Sequence, residues 1–233
     1  MKRGFYTIMS AQFFSSLADN ALFVAAVELL RTSGAPEWQR AALVPMFALF
    51  YVVLAPFVGA FADALPKGRV MFFSNAIKIV GCLMMLFGSH PLIAYAVVGL
   101  GAAAYSPAKY GILTELLPAS QLVKANGWIE GLTIASIILG VLLGGQLVGH
   151  HLSAALLSID IPMIDFGIHT AAEAAIAALI LVYALAAWFN TRIPHTGVEM
   201  RPLRQHPQRS ILASTLALLP DFWACNSRLW HDK

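Results

Sequence analysis

Asp19, Lys78, Lys109 and Glu130 sit in stretches of sequence that are otherwise almost wholly apolar. An ionised side chain in hydrocarbon costs roughly 2.5–3.5 kcal/mol on insertion scales, so such residues turn inward, pair, or line a polar passage. Asp19 and its neighbour Asn20 suit two roles. Asp19 is either a cavity acid that contacts a polar head or helps form a gate, or a structural acid paired inside a bundle; Asn20 suits a hydrogen bond between helices. Lys109, with Tyr105, Pro107 and Tyr110 around it, is either a point charge that attracts a phosphate or a lysine that snorkels to an interface. Pro107 is expected to break the helix near it. Lys78 reads as a pairing or snorkelling residue rather than a substrate contact. Glu130 is a partner for Lys78 or Lys109, or an interfacial acid. At 1.5 Å per residue, Asp19 lies about 20 Å from one face and Lys109 about 25 Å from the other end of its own helix, so no pairing of those two is expected.

A second group is the turn Gly59–Arg69, GAFADALPKGR. Its glycines permit a short connection, and Asp63 at a helix end can meet a cation from a neighbour and latch one conformation. Gly59, Asp63, Lys67, Gly68 and Arg69 are the latch residues. Further on, Gly140-x-x-x-Gly144 and Gly145-x-x-x-Gly149 are two patterns that allow close helix packing. His150, His151 and His169 have no recognisable metal spacing and read as loop histidines. No GxSxG, Walker A, HExxH or CxxC motif occurs, so no enzyme activity, cofactor or metal is implied.

The elements that must hold these residues follow from composition. The 233 residues are 59% hydrophobic and 12% charged, against roughly 25% charged in soluble domains. Mean hydropathy is +0.73 and the isoelectric point is near 9.0. Apolar runs at residues 5–30, 43–61, 70–88, 92–113, 127–148 and 170–193 are each about long enough to cross a bilayer. An all-α membrane protein with a six-helix bundle over residues 1–193 is therefore expected. Residues 149–169 form an outer loop, and residues 194–233 form a basic, largely irregular tail. Within the tail, residues 211–219 are too short to cross and suit a surface or linker helix. Most lysines and arginines, including Lys2, Arg3, Lys67, Arg69, Lys124, Arg192 and those of the tail, then fall on one side, which places both ends in the cytoplasm. The basic tail fits anionic membrane lipids better than nucleic acid. Cys82 and Cys225 fall in different surroundings and suggest no disulfide.

The turn between the second and third spans resembles the corresponding loop of the major facilitator superfamily, where Gly59, Asp63, Gly68 and Arg69 match in type and order. The likeness extends to the bacterial lysophospholipid transporters, a branch of that superfamily. It is carried by Gln12-Phe13, Asp19-Asn20-Ala21-Leu22, Ala55-Pro56-Phe57-Val58-Gly59, AAAYSPAKYGIL at 102–113 and LVKANG at 122–127. The resemblance implies twelve spans in two six-helix halves, of which this chain carries the N-terminal one. The C-terminal half is then absent, as in a fragment, a truncated gene or a frame-shifted copy. It implies movement of lysophospholipid from the outer to the inner leaflet of the bacterial inner membrane, where an acyltransferase/acyl-carrier-protein synthetase remakes a diacyl lipid. Asp19, Asn20, Lys109, Tyr105 and Tyr110 would contact substrate. A drug or metabolite exporter of the same superfamily, and a non-transporting membrane fragment or assembly partner, are the other readings. A proline missing from LGVLLGGQLVG weakens the drug-antiporter one.

Overall fold

The computed structural model describes residues 3–158, 168–194, 196–198 and 218–231. Every regular element among them is helical: α1 (Arg3–Thr32), α2 (Glu37–Val53), α3 (Ala55–Ala64), α4 (Lys67–Leu86), α5 (Pro91–Leu116), α6 (Ala119–Val148), α7 (His150–Leu157), α8 (Ala171–Thr191) and α9 (Leu218–His231). Five helices are long and apolar enough to cross a membrane, and six spans result if α2 and α3 are one bent crossing. Large apolar side chains such as Val52, Val123, Leu142 and Leu181 stand exposed around the bundle, as befits helices whose solvent is lipid.

The packing is pairwise. α1 lies against α6 and α8, α4 against α5 and α8, and α2 against α5. Two apolar clusters result. One gathers Phe5, Ile8 and Met9 of α1 with Val70, Met71, Ile112 and Ile129. The other gathers Ala18, Leu22 and Ala25 of α1 with Cys82, Met85, Val98, Leu179 and Tyr183. Between them the same faces turn polar: Gln12 and Ser15 on α1, and Ser74, Asn75 and Lys78 on α4, are all buried. The spacing 71, 75, 78, 82, 85 on α4 keeps one stripe facing the bundle while its chemistry changes from apolar to polar and back.

Several sequence expectations are corrected. The second span is not one straight helix: α2 and α3 meet at a 65° bend. Pro56 opens α3; it has no N–H to carry the ladder on and its ring crowds the preceding turn. Pro107, by contrast, does not end its helix, since α5 runs unbroken from Pro91 to Leu116. One missing hydrogen bond is tolerated where neighbouring helices hold both flanks. The fifth span starts at Ala119 rather than 127. The 149–169 connection contains α7, and residues 159–167 lie outside the described part. The tail holds α9 rather than irregular chain. The expected short helix at 211–219 falls on residues outside the described part, except for the first two residues of α9.

Of the two glycine patterns, one is used within the chain. A Cβ on Gly140 would come 2.6 Å from the Leu17 carbonyl oxygen, and one on Gly144 would come 2.7 Å from that of Ala21. These glycines let the α1 backbone rest on α6. Gly145 faces open space, and Gly149 is the residue that caps α6. Gly99 likewise lets α5 meet the α2 backbone at Phe47. Gly144→Val is therefore expected to destabilise the α1–α6 contact by about 1–3 kcal/mol. It should lower the thermal unfolding midpoint in detergent, whereas Gly145→Val should leave that midpoint in place. Equal effects would contradict this packing.

Candidate functional site

The polar layer is built around Lys78. Its Nζ donates to Asp19 Oδ2 at 2.7 Å and to Ser15 Oγ at 3.0 Å. Ser15 Oγ in turn donates to Asn75 Oδ1 at 2.8 Å. The second oxygen of Asp19 accepts from the Tyr183 hydroxyl at 2.8 Å. The ammonium also lies 5.2 Å from the Tyr105 ring centre and 5.6 Å from that of Tyr183. Four helices thus converge on one cation: α1, α4, α5 and α8. Lys78 is 1% exposed and Asp19 18%, so the pair is taken almost wholly out of solvent. Gly101 makes the approach possible, because a Cβ there would come 2.8 Å from Lys78 Cγ.

Beside this pair lies a cavity of about 140 Å3 lined by Gln12, Ser15, Ser16, Asp19, Tyr51, Lys78, Ala102, Tyr105, Ser106, Lys109 and Thr133. Lys109 is 8% exposed, and among the described residues it makes no ion pair. Its Nζ lies 4.4 Å from the Tyr110 ring centre. The Tyr110 hydroxyl donates to Glu130 Oε1 at 2.7 Å, so Glu130 is engaged by a phenol and pairs with neither lysine. The Tyr105 hydroxyl is buried without a hydrogen-bond partner.

The candidate residues divide accordingly. Asp19, Lys109 and Tyr105 come to the same cavity. Asp19 and Lys109 do not pair, as the offset along straight helices leads one to expect; Asp19 pairs with Lys78. Asn20 does not join them: its Nδ2 donates to the Ser16 carbonyl at 2.8 Å, within α1 and not between helices. Tyr105 flanks Lys78 rather than Lys109. Tyr183, Tyr51 and Ser15 were not singled out from the sequence. Tyr183 had a signal, as a phenol in the middle of the apolar run ALILVYALAA.

The latch turn sits at the far end of the apolar cluster that holds Ile8 and Ile112. Asp63, near the end of α3, pairs with Lys67, the first residue of the next helix, α4. Lys67 Nζ also donates to the Ala62 carbonyl at 2.8 Å and lies 3.9 Å from Glu115 Oε1. Asp63 is at the negative end of α3 and Lys67 at the positive end of α4, so each charge opposes its own helix dipole and the pair offsets both. Gly68 lies under the Asn190 carbonyl and Ile193, 3.2 Å from where a Cβ would reach. Gly59 faces open space, and Arg69 is exposed with no ion pair among the described residues. A larger cavity of about 730 Å3 opens here between Asp63–Phe73 and the residues after α8. Among the described residues no cluster of His, Cys, Asp and Glu could hold a metal.

Breaking the central pair one side at a time leaves a buried charge unmatched. Lys78→Met and Asp19→Asn are each expected to cost about 3–5 kcal/mol. The double substitution should cost clearly less than their sum in a detergent unfolding cycle. Strict additivity would show that the two charges are not coupled.

Comparison with known proteins bears on the fold and the family. The family model of the Major Facilitator Superfamily matches residues 8–230. "Lysophospholipid transporter LplT" of Yersinia enterocolitica serotype O:8 is 44% identical over 232 residues, covering 100% of this chain and 50% of the relative. The protein of the same description from Yersinia pestis (strain Pestoides F) is 39% identical over the same span. The chain thus spans about half the length of the curated relatives it matches. Among solved structures, a bacterial homolog of the human lysosomal transporter Spinster, inward-facing and unoccupied, matches with a TM-score of 0.66 at 20% identity, over 88% of this chain and 47% of that one. The fold and the match along nearly the whole sequence lead to one conclusion: this chain, a multi-pass membrane protein, belongs to the major facilitator superfamily.

Proposed function

We propose that the chain forms the N-terminal six-helix half of a bacterial lysophospholipid transporter, residues 1–193 being the bundle and 194–233 the basic segment after it. It works in the inner membrane with both ends of the bundle cytoplasmic, moving lysophospholipid from the outer to the inner leaflet for reacylation by an acyltransferase/acyl-carrier-protein synthetase. Alternating access needs a second bundle to rock against this one, with the substrate held between them.

The observation that carries the reading is a charge balance. Asp19 and Lys78 neutralise one another. Among the described residues Lys109 is left as a buried cation without an acid, facing a polar cavity beside the unpartnered Tyr105 hydroxyl. A buried ammonium is costly unless something anionic joins it, and a phosphate ester meets that need with a charge-assisted hydrogen bond. In this reading Asp19 holds Lys78 rather than the substrate, and the Asp63–Lys67 turn biases which end of the passage opens. Named lysophospholipid transporters at 44% and 39% identity support the substrate class. The exporter alternative has no comparable support, since a lipophilic cation would be repelled by Lys109.

The test joins this chain to the C-terminal half of the Yersinia enterocolitica relative and follows lysophospholipid reacylation in membrane vesicles. Lys109→Gln is expected to reduce transport about tenfold or more, as loss of a charge-assisted contact of about 1.5–3 kcal/mol would. Glu130→Gln should have a much smaller effect. Normal transport by Lys109→Gln at normal protein level would contradict the reading.

A further inference from the structure

The directions of the hydrogen bonds around the cavity fix what kind of group each wall offers. Thr133 Oγ1 lies 2.8 Å from the Ile129 carbonyl and donates its only hydrogen there. Toward Gln12 it can therefore act only as an acceptor. Gln12 Nε2 supplies that bond at 3.3 Å, which fixes the orientation of the amide. Gln12 is 5% exposed, lines the cavity, and its Oε1 accepts no hydrogen bond from the other described residues. Each oxygen of Asp19 already accepts one hydrogen bond, from Lys78 and from Tyr183. Ser16, Ser106 and Tyr51, which also line the cavity, carry hydroxyls that can donate or accept. Gln12 Oε1 can only accept.

We infer that Gln12 is a specificity-determining residue: its carbonyl accepts the free glycerol hydroxyl of a lysophospholipid whose phosphate lies at Lys109. This rests on the substrate class proposed above and adds the feature by which that class is told from its relatives. A lysophospholipid differs from a diacyl phospholipid by one hydroxyl on the glycerol. The cavity offers a cation for the phosphate and, across the same small space, an acceptor that needs a donor. Its volume of about 140 Å3 is of the size of a glycerophosphate head. A site built to bond a hydroxyl discriminates strongly against the analogue without it, because its own polar group is then left unpaired.

The experiment measures binding to the purified fusion of this chain with the C-terminal half of the Yersinia enterocolitica relative, in detergent micelles. The probes are lysophosphatidylglycerol and its deoxy analogue, identical except that the free hydroxyl at the deacylated position of the glycerol backbone is replaced by hydrogen. The fusion is expected to prefer the hydroxyl form about tenfold. Gln12→Leu should bring the ratio close to one by weakening the hydroxyl form alone. Thr133→Val should do the same, because the Gln12 amide then loses the bond that orients it. Lys109→Gln should weaken both probes equally and keep the ratio. A preference that persists in Gln12→Leu and Thr133→Val overturns the role of Gln12 while leaving the substrate class intact. Failure of the fusion to bind either probe, or binding that ignores Lys109→Gln, counts against the substrate class itself and removes the inference with it.

Discussion

An ammonium group cannot be left alone between apolar helices, and the position of Lys78 imposes that condition on this bundle. Its charge is met by Asp19 from α1, a second of its three N–H donors by Ser15, and its faces by the rings of Tyr105 and Tyr183. Helices α1, α4, α5 and α8 must therefore meet at one depth. Gly101 follows from the same demand, since a side chain there would occupy the space that the lysine stem crosses. The apolar clusters on either side can then form without burying an unmatched charge.

With that pair closed, the other charged groups sort by whether they are satisfied. Lys67 is bound to Asp63 and the Ala62 carbonyl at a turn where two helix ends meet. Glu130 is tied to Tyr110. Lys109 has an aromatic face and a cavity, and no acid among the described residues. Paired buried charges set the shape of the bundle; Lys109, buried and unpaired, is the one on which the proposed preference for an anion rests. The uncharged wall of the cavity adds a second preference, because the direction of the Thr133–Gln12 bond turns an amide that could present either end into an acceptor.

The sequence carried much of this openly. Apolar runs of bilayer length located the helices, and polar residues inside them marked the interior layer. Lys78 and Asp19 were each visible as costly residues, but their partnership was not. Pairing depends on which helices are neighbours, and α1 and α4 are 59 residues apart at this contact. Proline was a poor guide for a similar reason. Pro56 breaks the chain into α2 and α3, while Pro107 sits within a continuous α5 packed against α4 and α2. The same residue type gives opposite outcomes according to the support around it. Glycine patterns were also ambiguous, because Gly144 and Gly145 are adjacent in sequence yet face a neighbouring backbone and open space respectively.

The central claim is that the unpaired Lys109 ammonium is where the phosphate of the transported lipid rests. Its most direct test is a nitrogen–phosphorus dipolar measurement on lysine-labelled protein with bound lysophosphatidylglycerol, assigned by the loss of signal in Lys109→Gln. The account predicts a contact between the lipid phosphorus and Lys109 Nζ, with Lys78 remaining on Asp19. A phosphorus signal coupled to Lys78, or to no lysine, would contradict it.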